Sequence, residues 1–209
     1  MPTTTYNQVA GRRLNRIEAL SDGVFAIAMT LLVLELKVPV DDAIKTENDL
    51  WHAFTHLRVE LLAYFLSFMT LGIFWVGQSV QLQHIGKSDR NLVWINIFFL
   101  MIVSMLPFTT AFLSTHIGFK MAIALYWLNI FLLGLIVYIN WNYAMRHQYV
   151  ESPEVPVEVL NKAVRRRIIM AQSLYAIGAL MCFINNYVSI FFIIAVQLNY
   201  AFALTGKRH

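Results

Sequence analysis

The side chains in this sequence that could do chemistry stand at the two ends of one apolar stretch, RIEALSDGVFAIAMTLLVLELKV, which covers residues 16–38. Arg16, Ser21 and Asp22 lie at its start, and Glu35 lies near its end. Ionisable groups at the edges of a hydrocarbon span are energetically expensive, so we expect them to have partners or a function. Groups of these types can fix a helix in a bundle or attract a cation.

Residue patterns typical of catalysis are missing from the sequence. It has no zinc-protease motif, no Gly-x-Ser-x-Gly nucleophile turn and no phosphate-binding glycine loop. His52 and His56 stand four residues apart, but two ligands alone are more typical of a polar interfacial helix face than of a metal site. We therefore expect neither an enzyme nor a bound cofactor or metal.

The composition is that of a membrane protein with several spanning helices. Hydrophobic residues make up 58% of the chain and charged residues 13%, whereas soluble globular proteins contain about 25% charged residues. The single cysteine, Cys182, lies in an apolar run and has no partner for a disulfide within the chain.

Long runs without charge predict an all-α membrane protein with six transmembrane helices, because a helix needs about 20 residues to cross a hydrocarbon core. Pro107 should kink the third span. With no internal repeat or second domain evident, residues 1–209 are predicted to form one domain. The predicted spans cover residues 20–36, 54–82, 91–115, 121–145, 168–184 and 187–204.

The basic residues predict how these spans are oriented. Six crossings place both termini on one side, and twelve of the sixteen Lys and Arg residues fall in segments on that side. The positive-inside rule therefore predicts that both termini are cytoplasmic. The same rule explains the net charge of +4 without a nucleic-acid partner.

The first span carries a regular helical face. Gly23, Ile27, Thr30 and Leu34 follow one another at spacings of four, three and four, and Leu31 lies beside them. From spacing alone, this pattern fits an ordinary packing or lipid-facing helix as well as it fits a functional surface.

The stretch RIEALSDGVFAIAMTLLVLELKVP resembles the signature of the transmembrane protein 175 family, the potassium channels of lysosomes and their short prokaryotic relatives. The family pattern is Arg, three residues and then Phe-Ser-Asp at the start of the first helix. Arg16, Leu20, Ser21 and Asp22 occupy these positions, so that Leu20 replaces the family's Phe.

A second resemblance lies on the second helix, where relatives often read Trp, two residues and His. Here Trp75 is followed three residues later by Gln78. Glutamine can hydrogen-bond as histidine does, but it cannot become a cation.

The resemblance implies a potassium channel formed as a homotetramer, with the first helix lining a central pore. When the chain is aligned on the Ser-Asp pair, the narrowest ring falls at Ile27, with a hydroxyl ring from Thr30 nearby. Leu31 and Leu34 would line the outward continuation. Potassium should be modestly favoured over sodium because it is more easily dehydrated.

The same resemblance suggests that the polar start of the helix is structural. We expect Arg16, Ser21 and Asp22 to hydrogen-bond to polar groups on the second helix, such as Trp75 and Gln78. These bonds would fix the inner end of the pore helix.

The outer end of the pore helix is followed by the acidic residues Glu35, Asp41 and Asp42. They either concentrate cations at the outer mouth or form a solvated acidic loop. The implied partners are further copies of the chain, the lipid bilayer and potassium ions, and the implied location is the inner membrane of a bacterium. Two alternatives are a small secondary transporter or exporter of the inner membrane and a non-conducting assembly protein.

Overall fold

The regular structure of the chain is helical throughout the part that the computed structural model describes, residues 14–38 and 44–202. In these residues the one β-type feature is an isolated bridge between Ile85 and Val150. A short 3₁₀ turn, Met181–Phe183, separates the last two helices. The α-helices are α1 (Leu14–Val33), α2 (Glu47–His56), α3 (Arg58–Gln83), α4 (Arg90–Ser104), α5 (Leu106–Thr115), α6 (Lys120–Arg146), α7 (Val157–Leu180) and α8 (Asn186–Phe202).

Three helical segments are long and apolar enough to cross a membrane. They are α3, the combined α4–α5 segment over Arg90–Thr115, and α6. Helix α8 is apolar but shorter. The predicted helical membrane architecture is confirmed in this coarser form, whereas the six crossings and the side on which the termini lie stay predictions.

Hydropathy located α1 and α7 but not their ends. Helix α1 begins six residues before the predicted span and ends at Val33. After it, the backbone N–H groups of residues 34–36 each donate to the carbonyl three residues earlier. Helix α7 begins at Val157 rather than at residue 168 and includes Arg165, Arg166 and Arg167. Arginine has a good helix propensity, so charge ends an apolar run without ending the helix.

Helix α3 accounts for the predicted second span, residues 54–82, apart from its first four residues, because the helix is interrupted between the end of α2 at His56 and the start of α3 at Arg58. A capping box starts α2, in which Asp49 N–H donates to Thr46 Oγ1 and Asp49 Oδ2 accepts from Thr46 N–H. The Thr46 hydroxyl also donates to the Asp49 carboxylate and lowers its pKa. The third predicted span is likewise interrupted, with Pro107 in the first turn of α5.

Helix α1 packs into the bundle against α3 and α4. Four apolar side chains on one face of α1 are buried, and the Phe25 ring lies 6.0 Å from that of Phe99 on α4. Ser21 is the buried polar residue of the same face. This face fixes the position of α1, so its opposite side is what α1 presents to its surroundings.

Candidate functional site

Helix α1 has one buried face and one exposed face in the single chain. On the exposed face, Ile27, Leu31 and Leu34 expose 60%, 42% and 69% of their surface. Thr30, the fourth residue predicted to line a pore, lies exposed on the same side. A continuous apolar surface of this kind normally faces lipid or another protein chain.

The chemistry of this face is almost entirely aliphatic. No ionisable side chain lies between Asp22 and Glu35. The one side-chain oxygen among the four predicted pore residues belongs to Thr30, whose hydroxyl donates to the Ile27 carbonyl at 2.9 Å. Because this bond uses the hydroxyl proton, the Thr30 oxygen keeps its remaining lone pairs for a cation or water.

The outer end of the face lies just beyond the helix. Leu34 is one residue past the end of α1, and Leu34 N–H donates to the Leu31 carbonyl at 3.1 Å. Glu35 is half-buried. Asp41 and Asp42, which were predicted to lie at an outer mouth, fall outside the described residues.

A hydrogen bond between side chains ties the polar start of α1 to α3. Trp75 Nε1 donates to Asp22 Oδ1 at 2.8 Å. Arg16 is exposed and makes no hydrogen bond or ion pair with the described residues. The structure thus brings Asp22 and Trp75 together and leaves Arg16 outside this contact.

A chain of buried side chains continues from Ser21 through four helices. Gln78 Nε2 donates to Ser21 Oγ at 3.2 Å and to Asn96 Oδ1 at 3.1 Å. Asn96 Nδ2 donates to Asn140 Oδ1 at 2.9 Å, and Asn140 Nδ2 donates to Gln81 Oε1 at 3.2 Å. We call these five residues the amide chain; it connects α1, α3, α4 and α6.

The amide chain is buried along its whole length, since none of its five residues exposes more than 3% of its surface. It ends at backbone, where Gln81 Nε2 donates to the Val137 carbonyl at 3.3 Å. Buried amides without partners are costly, and networks of them hold together only when each member is satisfied. The amide chain therefore sets the register of α1 against its neighbours.

Three members of the amide chain, Gln81, Asn96 and Asn140, were not anticipated from the sequence. A signal was present, because each is a polar residue inside a long apolar segment, where polar groups are expensive and seldom accidental. Their hydrogen-bond partners could not be predicted from the sequence, because partners such as Asn96 and Asn140 are 44 residues apart along the chain.

The chain is similar to known channel proteins. A family model described as the endosomal/lysosomal potassium channel TMEM175 matches residues 16–107, which include the first four members of the amide chain in sequence order. A Streptomyces collinus protein named as a potassium channel is 32% identical over 174 residues, covering 81% of this chain and 82% of that protein.

A longer vertebrate protein and a solved structure are also similar. The Danio rerio protein named endosomal/lysosomal proton channel TMEM175 is 38% identical over 121 residues, which cover 56% of this chain and 23% of that protein. The crystal structure of a lysosomal potassium-selective channel TMEM175 homolog from Chamaesiphon minutus superposes with a TM-score of 0.77 at 27% identity. That alignment covers 91% of this chain and 97% of the other.

The amide chain predicts the effect of substituting its central residue. Asn96→Ala leaves buried groups of Gln78 and Asn140 without partners, so we expect it to lower the free energy of unfolding by about 1–3 kcal/mol. Asn91→Ala on the same helix is the control, because Asn91 is exposed and donates to the Tyr143 hydroxyl. Thermal unfolding in detergent compares them, and equal losses of stability would contradict a special role for the amide chain.

Proposed function

The chain belongs to the family of the endosomal/lysosomal potassium channel TMEM175, and from this premise we propose that it is a potassium channel whose pore is lined by α1. The family is one of ion channels and not of enzymes. The observation that carries the proposal is the division of α1 into a face fixed by hydrogen bonds and apolar packing and a face that is exposed and aliphatic.

Further copies of the chain would cover the exposed face of α1. One α1 helix cannot enclose a pore, but four copies placed around an axis can do so with Ile27, Leu31 and Leu34 facing inward. We propose a homotetramer in a bacterial inner membrane, with six crossings per chain and both termini cytoplasmic. The charge distribution along the sequence supports this orientation of the termini, and the similar Streptomyces protein named as a potassium channel supports a bacterial membrane.

The proposed constriction is a ring of four Ile27 side chains. Such a ring provides no oxygen ligands, so a potassium ion must keep part of its hydration shell or lose it without compensation. A narrow hydrophobic constriction excludes water and ions, and a slightly wider one fills with water and conducts. The ring therefore serves as both constriction and gate, and it favours potassium modestly over sodium.

Thr30 and the acidic residues complete the proposed ion path. The Thr30 oxygens offer lone pairs to a partly dehydrated ion, because each hydroxyl proton is engaged with the Ile27 carbonyl. Glu35, Asp41 and Asp42 raise the cation concentration at the outer mouth. Asp22, held by Trp75, anchors α1 and does not contact the permeating ion.

Reconstitution into liposomes tests the proposed activity. With a potassium gradient, we expect rapid potassium flux that needs no second coupled ion and does not saturate like that of a transporter. A pH-sensitive dye in the same vesicles measures proton flux, because the similar vertebrate protein is named a proton channel. Proton flux without potassium flux, or strictly coupled exchange, would overturn the proposal.

Substitutions of Ile27 test the constriction. Ile27→Asn should favour wetting of the ring and raise potassium flux several-fold, because the amide can hydrogen-bond to water in the narrow segment. In a Cys182→Ala background, Ile27→Cys should make the flux sensitive to thiol reagents or silver ions. Met101→Cys, an exposed position on α4, is the control that should stay insensitive. Unchanged flux and no block in both Ile27 variants would place the constriction elsewhere.

Substitutions of Asp22 test the anchor. Asp22→Ala removes the acceptor for Trp75, so we expect a smaller fraction of assembled tetramer on size-exclusion chromatography with little change in the potassium-to-sodium preference. Asp22→Asn keeps an acceptor oxygen and should assemble more nearly as the parent does. A well-assembled Asp22→Ala tetramer with altered ion preference would show that Asp22 belongs to the ion path.

A further inference from the structure

A groove of about 610 Å³ lies between α1 and α3 and is also lined by residues of α7 and α8. Its walls are mainly apolar and include Phe25 and Met29 of α1 and Phe68 and Val76 of α3. Phe68 and Val76 are exposed in the single chain. An apolar groove of this size favours an apolar occupant over water, so protein or lipid should fill it. We call it the α1–α3 groove, and its polar groups decide which occupant it takes.

The α1–α3 groove is elongated along the two helices. Its polar end is marked by the hydrogen bond from Trp75 of α3 to Asp22 of α1, both of which line the groove. From this end the lining continues seven residues along α1 to Met29 and seven residues back along α3 to Phe68. Seven residues of helix correspond to about 10 Å, so the groove is long enough for a segment of an acyl chain that runs parallel to the helices.

Two side chains of opposite charge line the groove without forming an ion pair. Asp22 is exposed, and its Oδ1 accepts from Trp75, while its Oδ2 makes no hydrogen bond with the described residues. Arg167 of α7 is exposed and makes no hydrogen bond or ion pair within the described ranges. Both charged groups are therefore accessible to an occupant that carries the complementary charges.

Both charges lie where their helices become uncharged. Residues 23–34, which follow Asp22, and residues 168–180, which follow Arg167, contain no Asp, Glu, Lys, Arg or His. In spanning helices, such stretches lie in the hydrocarbon and the charges that flank them lie at the level of the headgroups. This step rests on the proposed six crossings, in which α1 and α7 span the membrane. It places the polar end of the groove beside lipid headgroups and its apolar walls beside acyl chains.

We propose that the α1–α3 groove binds one phospholipid with an ethanolamine headgroup. The phosphate pairs with Arg167, whose guanidinium can donate two parallel hydrogen bonds to phosphate oxygens. The ammonium group donates to Asp22 Oδ2, and one acyl chain follows the apolar walls towards Met29 and Phe68. A zwitterionic headgroup thus satisfies both charges of the groove at once.

Other membrane phospholipids match the two charges less well. A phosphatidylglycerol headgroup has no cation and would bring its negative charge close to Asp22. A choline headgroup carries a cation, but its quaternary ammonium has no N–H to donate to the carboxylate. The ethanolamine ammonium has three N–H donors, as the side chain of lysine does.

Binding is tested on the purified full-length protein by native mass spectrometry, which counts the lipids on each oligomer and needs no conduction. The protein is freed of lipid by detergent exchange and titrated with dioleoyl phosphatidylethanolamine, phosphatidylglycerol or phosphatidylcholine. Because the acyl chains are the same, differences in affinity report the headgroup. We expect the ethanolamine lipid to bind about fivefold more tightly than either of the others. Equal affinities would show nonspecific binding to apolar surface and overturn the proposal.

Substitutions of the two charged residues test the headgroup contacts. Arg167→Ala should weaken binding of the ethanolamine lipid about fivefold, whereas Arg166→Ala, an exposed neighbour outside the groove lining, should not. Asp22→Asn keeps an acceptor for Trp75 and removes the charge, so it should lower the affinity for phosphatidylethanolamine and raise that for phosphatidylglycerol. Glu18→Gln, on the same helix and outside the groove lining, is its control. Affinities for both lipids that change in the same direction would show that Asp22 acts structurally and not on the headgroup.

Substitutions of glycine test the apolar part of the groove. A Cβ at Gly72 meets no atom within 4 Å, so Gly72→Leu should fold and occupy the groove. It should weaken binding of the ethanolamine lipid about tenfold, because the leucine takes the place of part of the acyl chain. Gly77→Leu, on the same helix and also with open space, lies outside the groove lining and should bind lipid as the parent does. Undiminished binding to Gly72→Leu would overturn the site.

The same spectra separate a lipid from a second copy of the chain as the occupant. If a neighbouring chain fills the groove, Gly72→Leu should reduce the fraction of assembled oligomer and leave lipid binding unchanged, which would overturn the proposal. Lipid counting does not depend on potassium flux. Protein that binds the ethanolamine lipid selectively but does not conduct would therefore refute the proposed channel and keep the site, and protein that conducts but binds all three lipids equally would do the reverse.

Discussion

The amide chain is the constraint on which the rest of this structure depends. A side-chain amide in an apolar interior must be satisfied by protein, because water is absent there and each unpaired group destabilises the fold. The hydrogen bonds of Gln78, Asn96 and Asn140 can all form at once in one arrangement of α1, α3, α4 and α6. Apolar packing alone would tolerate rotation or sliding of α1, whereas these bonds do not.

Fixing one side of α1 in this way determines what its other side presents. With Ser21 and Phe25 turned into the bundle, Ile27 and Leu34 necessarily point outward. An aliphatic constriction depends on such rigidity more than a ring of oxygen ligands does, because its only property is its width. In the proposed ring of four Ile27 side chains, a displacement of a fraction of an ångström at each side chain would separate a dry ring from a wet one.

The sequence predicted the parts of this arrangement that are local and left out those that are distant. The position of Ile27, Thr30 and Leu34 on one face of α1 follows from helical spacing, which is a local property. The pairing of Asn96 with Asn140 does not, because it depends on how α4 meets α6. The helix ends were predicted wrongly for a different reason. An apolar run indicates where a chain can contact lipid, whereas the helix itself continues through the arginines of α7.

The glutamine at position 78 shows how one residue type changes the physics of the anchor. Its amide nitrogen donates two hydrogen bonds at once, to Ser21 and to Asn96, while remaining neutral. A neutral imidazole has a single N–H donor, so a neutral histidine at this position could donate to only one of these two partners. In this chain Gln78 provides both bonds at any pH, so this part of the anchor of α1 cannot serve as a proton-dependent switch.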